Sequence, residues 1–146
     1  MPSKVQSVEV SYFVQMTEDE EKLRRAVAGM LGGEVPEERE AAQGHFGNSI
    51  VMVRHHLTGD QAEAALGRLV ARMAEDERRA VRSDLGSIVD EHGALYLRLS
   101  KQVLVMSGDL VLASSDPVRV KVKLRGHAVR GDPAAFYDTL LGGGRI

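Results

Sequence analysis

The sequence predicts an α+β fold in which amphipathic helices cover one face of a β-sheet. Three observations carry that expectation. Several short segments alternate apolar and polar side chains with a period of two, the pattern of a strand with one buried face. Between them lie capped stretches whose apolar residues recur at three- and four-residue spacing, as in a helix packed along one side. Finally, 43% apolar content over 146 residues supplies one sizeable core and not two, so residues 1–146 are expected to form a single domain.

Val5 to Gln15 alternates cleanly, with Val8, Val10, Tyr12 and Val14 on one face and Ser7, Glu9, Ser11, Phe13 and Gln15 on the other. Thr17-Glu18-Asp19-Glu20 reads as a capping box with Thr17 as N-cap, and Leu23, Ala26, Val27, Met30 and Leu31 follow at helical spacing until Gly32-Gly33. The acidic stretch Glu34 to Gln43, with Pro36 near its start, fits an exposed edge strand or an irregular segment. Gly44-His45-Phe46-Gly47-Asn48 comes next. Its glycines permit positive φ on either side of two flat side chains, which suits either a tight connection or a presented binding tip.

Ser49 to Leu57 is apolar in part on both faces and is expected to be a central strand. Thr58-Gly59-Asp60-Gln61 repeats the capping-box pattern ahead of a helix running to Met73, and a further helix after Glu75 carries Val81, Leu85, Ile88 and Val89 until Gly93. Leu95 to Leu99 alternates as a strand. Val103–Met106 and Leu110–Ala113 flank Ser107-Gly108-Asp109 and are expected to form a hairpin. Asp116-Pro117 opens a strand from Val118 to Arg125, Asp132-Pro133 starts a short helix with Phe136 and Leu140, and residues 142–146 are expected to be a flexible tail.

Composition narrows the chemistry. Without a cysteine, disulfides, thiolate zinc sites, iron–sulfur clusters and cysteine nucleophiles are excluded. No run approaches the ~20 apolar residues of a membrane span, and the first residues lack the apolar segment of a signal peptide, so a cytoplasmic protein with no membrane partner is expected. Nucleotide-hydrolase, zinc-protease and serine-hydrolase signatures are missing. His55 and His56 are adjacent on a strand and point to opposite faces, so they cannot readily share one metal ion. No catalytic residue, metal or cofactor is therefore assigned. Two alternatives stay open, a scaffold or homodimerising module and a metal-dependent nuclease with scattered carboxylates.

Charge supplies the positive signal. Residues 1–91 carry 11 Lys/Arg against 17 Asp/Glu, whereas residues 92–146 carry 8 against 4, and 14 of the 19 basic residues are Arg. A basic C-terminal part rich in Arg suits phosphate or carboxylate partners. Within it Arg119, Lys121, Lys123 and Arg125 occupy every second position, opposite Val118, Val120, Val122 and Leu124. Same-face strand residues stand about 6.6–7 Å apart, close to the spacing of phosphates along one nucleic-acid strand. The same cations can instead blunt a sheet edge or pair with acids on neighbouring strands. If helices cover one sheet face, the other can also carry Phe13, Arg54, His56, Tyr96 and Arg98, and sequence alone leaves open whether Phe13 and Tyr96 share a face with the cations.

Gly44-His45-Phe46-Gly47-Asn48-Ser49-Ile50 and the block Leu95-Tyr96-Leu97-Arg98 with Lys101-Gln102 resemble a small archaeal family of predicted exosome-associated RNA-binding proteins. The likeness extends from Val5 to about Arg125. It departs at Ser49, where the family usually has proline, and at Ser100, where it usually has an acid. The resemblance implies a fold like that of the ribosomal protein that binds 5S RNA, a two-layer sandwich with helices on one face of a mainly antiparallel sheet. It also implies association with RNA, and proteins of an RNA-processing complex as further partners. The candidate RNA-contacting residues are thus Arg119, Lys121, Lys123, Arg125, Arg98 and Lys101, with His45 and Phe46 at the loop tip.

Overall fold

Alternation in the first segment produces the strand that it predicts: β1 (Val5–Gln15) buries Val5, Val8, Val10, Tyr12 and Val14 and leaves Glu9, Ser11, Phe13 and Gln15 partly open. The structure is a computed structural model, and it describes residues 4–33, 35–43, 47 and 49–143. β1 is the middle of a five-stranded sheet of order β2-β3-β1-β5-β4, with β2 (Glu37–Gln43), β3 (Ser49–Thr58), β4 (Leu95–Leu99) and β5 (Val118–Leu124). Every pairing is antiparallel. A register shift between Val5 and Ser7 lets the apolar positions on both sides of it reach the same core.

The helices pack against the face that carries these apolar residues. α1 (Glu20–Leu31) contributes Leu23, Val27, Met30 and Leu31, and α2 (Gly59–Arg72) contributes Ala62, Ala65, Leu66, Leu69 and Val70. α3 (Glu75–Ser83) and α4 (Leu85–Ile88) add Val81 and Leu85 beside β4. After α5 (Lys101–Ser107) and α6 (Gly126–Val129), α7 (Pro133–Leu141) closes this layer through Tyr137, Leu140 and Leu141. The buried Tyr137 hydroxyl donates to the Gly93 carbonyl at 2.8 Å, fastening α7 to the turn before β4. Among the described residues no helix is long and apolar enough to cross a membrane.

Four local expectations change. The N-cap of α1 is Asp19, whose carboxylate accepts from Lys22 N at 3.2 Å, because Thr17 lies within the turn closed by Glu18 N on Gln15 O at 3.0 Å. Thr58 stands at the N-cap of α2 without a side-chain cap bond and is also the last residue of β3. The expected hairpin at 103–113 is instead α5 followed by an irregular segment: the Ser100 hydroxyl accepts from Val103 N at 3.1 Å, and Gly108 ends the helix at φ 79°. These caps override the strand preference of Val103 and Val105. Finally, β5 ends at Leu124, and Arg125 is the N-cap of α6. The Gly44–Phe46 and Asn48 positions, including the proposed tip residues His45 and Phe46, lie outside the described residues, as do residues 144–146 of the expected tail.

One buried polar pair has a consequence for stability. His55, 2% exposed, stacks on Tyr12 with ring centroids 5.6 Å apart, and its Nε2 lies 3.0 Å from the Tyr12 hydroxyl while Nδ1 lies 3.3 Å from the Pro36 carbonyl. The neutral tautomer with the proton on Nδ1 satisfies both contacts, donating to Pro36 and accepting from Tyr12. Burial holds the His55 pKa below its usual 6.5. Below pH 6.5 the unfolded chain binds this proton first, so stability falls as pH drops from 6.5 through the folded-state value and is unaffected by this group above it. Urea unfolding at pH 7.5, 6.5 and 5.5 is expected to show that loss, with a shallower acid slope in His55→Phe; equal slopes in the two proteins would refute it.

Candidate nucleic-acid interface

The period of two on β5 decides what the uncovered sheet face carries. Because Val118, Val120, Val122 and Leu124 are buried, Arg119, Lys121 and Lys123 must point away from the helices, and Arg119 and Lys123 are exposed there. Register then sets their neighbours. One row across all five strands reads Glu38, Arg54, Ser11, Arg119, Arg98, and the next reads His56, Glu9, Lys121, Tyr96 over four of them.

These rows divide the face by charge. On the β3 side, Glu9 sits 2.9 Å from Arg54 Nε and compensates its charge, with His56 Nδ1 4.0 Å away. The Nε–H of Arg54 is not aligned as a hydrogen bond, so charge more than direction holds that pair. On the β5–β4 side, Arg98, Arg119, Lys121 and Lys123 have no ion-pair partner among the described residues. Arg98 and Arg119 are directly opposite each other, an arrangement of like charges that costs energy until an anion relieves it.

Both flat side chains lie on this face with the cations. The Arg119 guanidinium stands 5.9 Å from the centroid of the Phe13 ring, and the Lys121 ammonium 5.3 Å from that of Tyr96, both within cation–π range. Tyr96 is itself fixed, since its hydroxyl donates to Asp90 at 3.0 Å. Asp90 also accepts from Ala94 N and His92 N at 2.9 Å, and the Ala94 bond does most to hold its carboxyl below the usual carboxylate range. An ionised Asp90 therefore keeps the ring in place beneath Lys121.

Two further expected contacts are placed differently. Lys101 is no part of this face: it is 6% exposed, and its Nζ donates to Phe13 O at 2.6 Å and pairs with Asp116 at 2.7 Å and Glu18 at 3.2 Å. It ties the end of β1 to the segment entering β5. Arg125 stands one residue past the strand, half-buried with its Nε lacking a partner among the described residues, at the Gly59 end of α2. The row of four cations expected on one strand is thus three on β5, joined by Arg98 of β4.

A family model described as RNA binding matches residues 7–124, from near the start of β1 to the end of β5. The chain belongs to this RNA-binding family. Its relatives are archaeal. An uncharacterized protein of Methanocaldococcus jannaschii is 26% identical over 120 residues, covering 77% of this chain and 80% of that one. A UPF0201 protein of Methanopyrus kandleri is 33% identical over 99 residues, 67% of this chain and 60% of that protein. In three dimensions, a DUF54 protein of Methanothermobacter thermautotrophicus superposes with a TM-score of 0.78 at 28% identity, over 95% of this chain and 99% of that one.

In this RNA-binding family member, sequence reasoning missed the groups beside β4. Bridges from Val89 to Leu95 and from Leu112 to Leu99 cover the outer edge of β4, and a cleft of about 630 Å³ opens there between the cations and Asp84, Ser87, Ile88 and Leu112. Those residues lie on two segments distant in sequence from each other and from β5. Among the described residues no three His, Asp or Glu side chains gather closely enough to hold a metal ion. The placement of Lys101 separates stability from binding. Lys101→Met is expected to cost about 2 kcal/mol, less than full loss of a buried pair because Asp116 is 44% exposed, and to leave RNA affinity unchanged at temperatures below melting. Arg98→Glu is expected to do the reverse; a drop in affinity with Lys101→Met in folded protein would contradict this division.

Proposed function

We propose that this protein binds RNA through the β5–β4 half of its open sheet face, without catalysis of its own. Arg119, Lys121 and Lys123 along β5, with Arg98 across the register, follow the phosphates, while Phe13, Tyr96 and the guanidinium planes offer surfaces on which bases stack. One arrangement supports this above the rest: four cations without ion-pair partners among the described residues share an uncovered face with the two aromatic rings that orient two of them. Membership of an RNA-binding family agrees with it. The Gly44–Asn48 and Leu95–Gln102 resemblance supports an accessory part in RNA processing or degradation, alongside the proteins that cut.

Acid on the β2–β3 side gives the interface direction. Glu38 and Glu40 face the same way as the cations but three or four strands away, so a polyanion is drawn to one half and kept from the other. The triple change Arg119→Glu, Lys121→Glu, Lys123→Glu is expected to abolish RNA retention in a filter or anisotropy assay. With the native chain, log affinity should fall against log salt with a slope near −3, from about −0.7 for each of four phosphates on a single strand. RNA binding that survives the triple change, or that ignores salt, would overturn the assignment.

A further inference from the structure

The cationic half of the sheet does not simply run out at β4. It ends in the cleft of about 630 Å³ beside that strand, a volume within the ~300–1,000 Å³ of small-ligand sites. Its sheet side holds Arg98, Arg119 and Lys121, with Tyr96 and the Arg54-paired Glu9 beside them, and its far wall holds the apolar Ile88 and Leu112. Asp84 and Ser87, both exposed, add hydrogen-bonding groups between them. Cations at one side, apolar surface at the other and a few polar groups between match the chemistry of one nucleotide: a phosphate, a flat base and the donors on its edge.

We propose that this cleft takes a single unpaired nucleotide of the bound RNA, with its phosphate between Arg98 and Arg119 and its base against Ile88 and Leu112. This rests on RNA binding by the open face and adds to it a preference: RNA that presents one unstacked nucleotide is held more tightly than the same RNA fully paired. The Arg98–Arg119 pair argues for the phosphate, because two facing guanidiniums without an acid are stabilised by one anion shared between them. Asp84 argues for the base, because a carboxylate at the wall repels a second phosphate and accepts from the amino and imino groups of a base. A second concave region, about 640 Å³ beside α5, lacks this combination: Glu18, Asp19 and Asp116 line it, and of its two lysines Lys101 is already taken up by Glu18 and Asp116.

An unpaired nucleotide can come from a bulge or from a strand end, and the test separates them. Anisotropy titrations would compare a blunt RNA duplex with the same duplex carrying a one-nucleotide bulge, a one-nucleotide 3′ overhang or a one-nucleotide 5′ overhang, each also with an abasic residue at that position. At least one of the three is expected to bind about tenfold more tightly than the blunt duplex, and to lose that gain when abasic, since the base itself is what the apolar wall holds. Ala80→Trp places a bulky side chain at the exposed rim of the cleft. It is expected to abolish the preference while leaving affinity for the blunt duplex within twofold. Equal affinity for all RNAs, or an abasic RNA that binds as well as its parent, would overturn the cleft assignment and leave the sheet-face reading standing. Those two results need only the native chain, so they decide the matter even if Ala80→Trp fails to fold. RNA binding absent altogether would overturn both.

Discussion

Burial of Val118, Val120, Val122 and Leu124 against the helical layer is the constraint on which the interface depends. Each buried apolar side chain of this size contributes up to about 1.5–3 kcal/mol. A slip of one residue would send that set to solvent and drive Arg119, Lys121 and Lys123 into the core, so the register of β5 on β1 is fixed by a penalty several times that of any single contact. The cations face outward because they have no alternative. Pairing of β5 with both β1 and β4 then carries the same alternation sideways, bringing Ser11, Phe13, Tyr96 and Arg98 onto one surface.

Polar anchors, buried at Lys101 and Tyr137 and half-buried at Asp90, fasten the ends of the strands that form that surface. Lys101 joins Phe13 O, Glu18 and Asp116, three points on the segments that leave β1 and enter β5. Tyr137 joins α7 to Gly93 just before β4, and Asp90 in the same turn holds Tyr96. Each anchor satisfies groups that would be costly to leave unpaired, and each lies next to a strand end that supplies the interface. Asp116 takes φ 43° at the turn into β5, a conformation that Asp adopts more readily than most residues, and its carboxylate receives Lys101 there.

Much of this was legible in the chain. The outward cations of β5 and the buried face of β1 follow from period alone, because seven to eleven alternating residues admit no competing helical pattern. What escaped was whatever depends on partners distant in sequence. Lys101 looks like a surface cation until Glu18, 83 residues away, and Asp116 are folded against it. Phe13 and Tyr96 meet the cations only through the registers of two strand pairs, which no local pattern encodes. The run Val103–Met106 is apolar at every position, so its period is ambiguous, and the caps at Ser100 and Gly108 decide for a helix. Thr17 heads the capping-box pattern, yet it falls inside the turn closed by Glu18 N on Gln15 O, and Asp19 caps α1 instead.

The central claim is that RNA meets the β5–β4 half of the uncovered face, with the adjoining part of β1 and the cleft beside β4, and not α1, α5 or β2. Titration of isotope-labelled protein with a short RNA, followed by backbone amide chemical shifts, reports that footprint directly. The account predicts shifts clustered at Ser11, Phe13, Tyr96, Arg98, Arg119, Lys121 and Lys123, with α1 and the acidic strand β2 unmoved. A footprint centred on α1, on α5 or on β2, with β5 silent, would contradict it.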